Sequence, residues 1–230
     1  MQRIILALAF FISALALKAQ QVTNQNLFDT IPFLVEHYAK RVAMFEMEPV
    51  VTGQVIFLGN SITEGGNWRD LTGSQNVLNR GIGGDVTFGI LQRLDDVIKR
   101  KPSKLFILIG INDIGKDIPI SKIADNYRKI VRRVKTGSPQ TRIFVQSILP
   151  VNPTVNRFPQ HYDKEYQVLR CNEELRKLAT NEDVQFVNLY PLFVNNQQLL
   201  EPNLTNDGLH LNSEGYRLWV KHLKELGYLQ

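Results

Sequence analysis

The chain has 230 residues, 43% apolar and 21% charged, a globular balance that excludes disordered and collagen-like readings. That length suffices for one domain with a sizeable core. The net charge of +5 falls to +3 without residues 1–19 and their Arg3 and Lys18, too mild to point to nucleic acid, and no dense Lys/Arg cluster occurs.

Met1-Gln2-Arg3 gives a positive start, Ile4 to Leu17 is nearly all apolar, and Leu17-Lys18-Ala19 ends small. This layout predicts a secretory signal peptide over residues 1–19. Its apolar run of about 14 residues is shorter than the roughly 20 of a membrane span. An uncleaved anchor is the alternative. No cysteine follows the run for lipid attachment, and no later segment is long and apolar enough to span a bilayer. The expected mature protein is therefore exported, periplasmic or secreted, without stable membrane insertion.

Residues 20–50 read as an N-terminal extension. Its start is polar, and over 31–47 Phe33, Leu34, His37, Tyr38, Arg41, Val42 and Phe45 fall near helical spacing. That predicts an amphipathic helix packed on the main body, with His37 at its margin.

From residue 51 to 230 short apolar runs alternate with amphipathic stretches. Val55–Leu58, Val77–Leu78, Leu105–Ile109, Ile143–Val145 and Phe186–Leu189 suit strands buried on both faces of a parallel sheet. Val86–Lys99, Ile120–Lys135, Asp163–Thr180 and Ser213–Leu226 carry one apolar face each and read as helices. Arg132-Arg133 lies opposite such a face and reads as solvated. Cys171, the one cysteine, shares a helical face with Val168, Leu175 and Leu178 and reads as core. The alternation predicts an α/β fold, a three-layer α/β/α sandwich around a mostly parallel five-stranded sheet. In such folds ligands bind beyond the carboxyl ends of the strands.

Four segments after strands carry candidate chemistry. Gly59-Asn60-Ser61-Ile62-Thr63-Glu64 can aim a hydroxyl into the crevice, although a helix N-cap is the plain alternative. Asn79-Arg80-Gly81-Ile82-Gly83-Gly84-Asp85 lets backbone approach a ligand closely. A phosphate loop is its rival, but the P-loop lysine pattern and a full Gly-x-Gly-x-x-Gly are missing. Gly110-Ile111-Asn112-Asp113 can donate a side-chain N–H to an oxyanion or can be a simple turn. In Asn206-Asp207-Gly208-Leu209-His210 an Asp three residues before a His can orient an imidazole. His161, near Asp163, is the more serious competing base; His222 has no acid in a matching loop. No His/Cys cluster has metal-ligand spacing, so neither metal nor other cofactor is expected.

Together, and in this order, the four segments resemble the SGNH, or GDSL-type, esterase family. The resemblance covers essentially all of 51–225 and implies a flavodoxin-like SGNH hydrolase fold. It implies Ser61 as nucleophile, Asp207 and His210 as its catalytic partners, and an oxyanion hole from Ser61, Gly84 and Asn112. Asn79 to Asp85, Trp68-Arg69-Asp70-Leu71, Leu91-Gln92-Arg93-Leu94 and Ile148-Leu149-Pro150 are most similar to the platelet-activating-factor acetylhydrolase-like branch. One departure is Asn60, where the family usually has Asp.

The proline-rich loop 150–163 follows the fourth strand and should border the crevice, so Phe158 and Tyr162 are candidate substrate contacts, with Trp68 opposite, although core packing is the plainer reading of that tryptophan. Aromatic and polar walls together with export favour a small acyl group, above all acetyl, on a carbohydrate. Lysophospholipid or thioester hydrolysis is the alternative. A non-catalytic ligand-binding protein and a phosphate-binding domain are rivals from other classes.

Overall fold

Five parallel strands form the centre of the computed structural model, which describes residues 28–155 and 157–230. The expected export signal lies outside these residues. The strands are β1 (Val55–Gly59), β2 (Val77–Gly81), β3 (Lys104–Leu108), β4 (Arg142–Gln146) and β5 (Gln185–Val187), in the order β2-β1-β3-β4-β5. Their continuous apolar runs fit this position, because helices cover both faces of a parallel sheet.

Strand register lines Phe57, Phe106 and Phe144 up across one face. Their rings stack at 4.9 and 4.5 Å. Helices α3 (Trp68–Thr72) and α9 (Ser213–Glu225) close over this face. Trp68 stacks on Phe57 at 3.7 Å, and Trp219 meets both rings edge-on. Alternation along the strands turns Ile56, Leu58, Leu105, Ile107, Ile143 and Val145 to the opposite face. There the buried stripes of α4 (Thr87–Lys99), α6 (Ile120–Gly137) and α7 (Glu165–Asn181) complete the third layer. Cys171 on α7 is buried in that core, and burial pushes its thiol far above the ordinary range. Arg132 and Arg133 pair with Glu182 and Asp95 on the solvated side.

Helix α1 (Val35–Met47) begins four residues later than the apolar spacing from residue 31 suggests. Pro32 lies inside the expected span, and proline disfavours helical backbone at the residue before it. The helix docks at the β2 edge. Phe45 is buried beneath the guanidinium groups of Arg41 and Arg80, 4.8 and 4.3 Å from its ring centre. Tyr38 Oη donates to the Gly89 carbonyl at 2.8 Å.

β2 lies on one side of β1 and β3 on the other, so the β1-to-β2 and β2-to-β3 connections run in opposite directions along the sheet. This reversal opens a crevice at the carboxyl ends of the strands. Three short helices, α2 (Ser61–Glu64), α5 (Ile111–Gly115) and α8 (Tyr190–Phe193), start within a few residues of the ends of β1, β3 and β5. Among the described residues no helix is long and apolar enough to cross a membrane.

Candidate active site

Ser61 is the first residue of α2, where a backbone N–H has no carbonyl one turn back to receive it. Asn60 caps the turn: its side-chain oxygen accepts the Ile62 N–H at 3.0 Å. An amide is therefore sufficient to cap this turn. Its nitrogen has no partner among the described residues.

The loop before α9 brings its imidazole to this serine. His210 Nε2 lies 2.8 Å from Ser61 Oγ, and His210 Nδ1 lies 2.7 Å from Asp207 Oδ2. Asp207 Oδ1 also accepts the backbone N–H groups of Leu209 and His210, at 3.0 and 2.8 Å. Burial opposes ionisation of Asp207, but these donors and the His210 ring outweigh it and hold its pKa below the usual carboxylate value. A carboxylate fixed on Nδ1 leaves Nε2 free to take the hydroxyl proton. His161, the competing base, bonds Asn112 Oδ1 at 3.0 Å instead.

Gly84 sits at φ +74°, and a Cβ there would come within 2.9 Å of Leu34 N. Its carbonyl accepts the Phe33 N–H at 2.9 Å. The turn closes through Asp85 N–H to Ile82 O, which leaves the Gly84 N–H unused by that bond. Asn112 Nδ2 donates to Asp85 O at 2.9 Å, so the amide stands directly beside the glycine loop. Nδ2 carries two hydrogens, and one remains for a ligand.

Several residues not singled out in the sequence for this role hold these parts together. Arg93 is buried and donates to Asp85 Oδ2, to Gly59 O and to Arg80 O at 2.8–2.9 Å. Glu64 accepts the Gly83 N–H at 2.6 Å and pairs with His37 and Arg41 at 3.0 and 3.1 Å. His37 thus joins α1 to the site rather than ending at a helix margin. Asn79 Nδ2 reaches the carbonyls of Thr63, Glu64 and Gly66. Thr87 binds the Asp113 carboxylate through both its N–H and its hydroxyl. Burial pushes the Asp113 carboxyl up to about 7 and that of Asp85 up to about 6.

The three expected substrate contacts fare differently. Trp68 is only 2% exposed, and its Nε1 donates to Thr63 O. It belongs to the aromatic core under α9 and does not line the crevice. Stacking on Phe57 draws it inward. Phe158 stands edge-on to His210, with ring centres 5.2 Å apart, and borders the site. Tyr162 braces the loop, its hydroxyl accepting the N–H groups of Arg157 and Phe158 at 2.6 and 3.0 Å. The segment before α1 also reaches the crevice: Phe33 lies 6.1 Å from the His161 ring, and Lys116 lies over its face. Among the described residues no group of three His, Cys, Asp or Glu side chains could hold a metal ion.

A doubly wound α/β sheet with a hydrogen-bonded Ser–His–Asp chain at its switch point defines a hydrolase-type site. Residues 57–218 match the GDSL-like Lipase/Acylhydrolase family, and the chain belongs to it. The protein is a carboxylic ester hydrolase. Subunit alpha2 of platelet-activating factor acetylhydrolase IB from Rattus norvegicus is 31% identical over 178 residues, 75% of each chain. A solved structure described as a putative platelet activating factor from Streptococcus pneumonia is 30% identical, with a TM-score of 0.77 over 92% of this chain and 98% of that one. A catalytic mutant of an acetylxylan esterase from Geobacillus stearothermophilus has a TM-score of 0.62 at 19% identity, over 80% of this chain and 99% of that one. That last likeness is one of fold.

Proposed function

We propose that the protein is a serine esterase that removes short acyl groups, acetyl foremost, from carbohydrate esters. The observation that carries the reading is the continuous chain from Ser61 Oγ through His210 to Asp207, at 2.8 and 2.7 Å, beside the Gly84 loop and Asn112. His210 takes the Ser61 proton as Oγ attacks the ester carbonyl. Asp207 keeps the imidazole oriented and stabilises its cation. The oxyanion sits among the N–H groups of Ser61 and Gly84 and the free N–H of Asn112. Each donor of this kind is worth about 3–4 kcal/mol in the transition state. Collapse expels the alcohol, protonated by His210. A water molecule, deprotonated by His210, then releases the acid from Ser61.

Two features support a small acyl group. The strap of Phe33 and Leu34 closes against Gly84, and Phe158 stands over His210. Both the acetylhydrolase relative and the acetylxylan esterase are named for acetyl esters. Sugar is the alcohol favoured by export, which we propose through cleavage after Ala19. The mature N-terminus, read by mass spectrometry, would then be Gln20. In this reading residues 20–50 are an extension of the hydrolase domain at 51–230. An acetylated phospholipid is the second reading. It is favoured by the 31% relative and by the exposed Ile31, Phe33, Leu34 and Val155.

The test is hydrolysis of p-nitrophenyl esters of rising chain length, acetylated xylo-oligosaccharides and acetylated phospholipids by wild type and Ser61→Ala. Wild type should prefer acetate and sugar and should label with a fluorophosphonate, and the variant should do neither. Turnover surviving in Ser61→Ala removes Ser61 from the role. A preference for the phospholipid selects the second reading.

A further inference from the structure

His161 is a buried imidazole, 3% exposed, that the steps above do not use. The Asn112 carboxamide is held at both ends: Nδ2 donates to Asp85 O at 2.9 Å, and Oδ1 meets His161 Nε2 at 3.0 Å. An amide oxygen only accepts, so His161 must carry its proton on Nε2. Turning the amide over would set its oxygen against the Asp85 carbonyl oxygen, a repulsion that no tautomer of His161 relieves. The remaining Nδ2 hydrogen therefore has one direction open to it.

The imidazole is itself clamped. His161 N–H donates to Phe158 O at 2.9 Å, and the ring lies 6.1 Å from Phe33 and 6.3 Å from Phe158. On α5, a Cβ at Gly115 would meet the ring at 3.1 Å, so a side chain there would press on the imidazole. His161 Nδ1 has no partner among the described residues, which suits the lone-pair side of the required tautomer. His161 and Tyr190, whose hydroxyl is likewise buried and unpartnered, line one cavity of about 90 Å³. Burial, and after it the His210 charge, pushes the pKa of His161 down to about 4, so the ring stays neutral with a single N–H at neutral pH.

We propose that His161 is a positioning residue for ester hydrolysis, its Nε2–H fixing the Asn112 carboxamide so that the free Nδ2–H meets the developing oxyanion. This rests on the reading of Asn112 as an oxyanion donor. It assigns the loop 158–161 a part in transition-state stabilisation rather than only in lining the crevice.

Steady-state kinetics on p-nitrophenyl acetate test it with Asn112→Ala, His161→Leu, His161→Asn, His161→Gln and the His161→Leu/Asn112→Ala double variant. Glutamine places an amide N–H near the Nε2 position, whereas asparagine is too short and leucine has no donor. Loss of a whole oxyanion donor costs about 10²–10³ in kcat, and a loosened one should lose about tenfold. His161→Leu and His161→Asn should therefore lower kcat about tenfold with KM nearly unchanged, and His161→Gln should restore most of it. On the Asn112→Ala background His161→Leu should have little further effect. Wild-type kcat in either disabling variant overturns the proposal. So does a glutamine variant, folded by near-ultraviolet circular dichroism, that is as slow as leucine. A full His161→Leu loss persisting without Asn112 also overturns it, because that would be a general structural effect. Unchanged kcat in Asn112→Ala alone would instead sink the oxyanion reading beneath it.

Discussion

Arg93→Met should be among the most damaging single changes near the crevice, for reasons that its contacts make quantitative. The Arg93 guanidinium is buried with the Asp85 carboxylate, at 2.9 and 2.8 Å, and also donates to Gly59 O and Arg80 O. Methionine fills much of the same space and leaves the carboxylate stranded. Removing one partner of a buried ion pair typically costs about 3–5 kcal/mol. Each abandoned carbonyl bond adds about 1 kcal/mol. Gly59 O still accepts the Ile82 N–H, which softens the loss there. The expected destabilisation at pH 8 is thus about 4–6 kcal/mol, a large part of the ~5–15 kcal/mol of a typical domain. Asp85 already has its pKa raised by burial to about 6, and removal of Arg93 raises it further. A carboxyl with a raised folded pKa binds its proton more tightly in the native state than in the unfolded chain. Stability therefore rises as pH falls toward the unfolded value, and the cost of Arg93→Met should shrink between pH 8 and pH 5. Asp85→Asn/Arg93→Met removes charge and counter-charge together, so it should cost less than the sum of the single changes by about 2 kcal/mol or more. Urea unfolding of the four proteins at both pH values measures all of this. A single-variant cost below about 1 kcal/mol, or strict additivity, would refute the reasoning.

Two further outcomes can be checked with the same equipment. Because the native His161 ring titrates near 4 and the unfolded one near ~6.5, the unfolded chain takes up a proton between these values that the native ring refuses. About 3 kcal/mol of stability should be lost as pH falls from 7 to 4, a loss absent in His161→Gln; parallel pH profiles of unfolding free energy would contradict this. Gly84→Ala forces a side chain into a left-handed conformation that costs about 1–2 kcal/mol, and drives its Cβ to 2.9 Å from Leu34 N. It should lower both thermal stability and kcat by displacing the strap, and a variant indistinguishable from wild type in melting and turnover would show that the strap yields freely.

The sequence carries the sheet plainly, because strands buried on both faces must be continuously apolar, and Val55–Leu58 and Leu105–Ile109 are. It also points to Ser61, Asp207 and His210, which the structure brings into one hydrogen-bonded chain: Ser61 opens a helix just after β1, and Asp207 and His210 lie on the loop leading into α9. Helices of four or five residues, such as Ser61–Glu64 and Ile111–Gly115, complete too little of an apolar period to be seen. For Trp68 the sequence offers both packing and the crevice, and the structure takes the packing reading. Its inward turn depends on Phe57, Phe106 and Trp219, which the register brings together across some 150 residues of chain. The strap is hidden for the same reason: the spacing of Phe33 and Leu34 reads as a helix face, while their contacts are with Gly84 and His161. His161 reads as a competing base because Asp163 is nearby in sequence, yet its bonded partner, Asn112, is 49 positions away.

The long-range bonds share a pattern that bears on catalysis. Glu64 ends the turn that Ser61 begins and binds the glycine loop at Gly83 and α1 at His37 and Arg41. Arg93 ties the end of β1 to the loop from the other side, and Asn112 closes on it at Asp85 O. The proposed nucleophile and the three proposed oxyanion donors are thus parts of one braced body rather than tips of independent loops. Donors that need not reorganise as charge develops contribute most to a transition state. The network that makes this region rigid is, on that reasoning, the same one that makes it reactive toward esters.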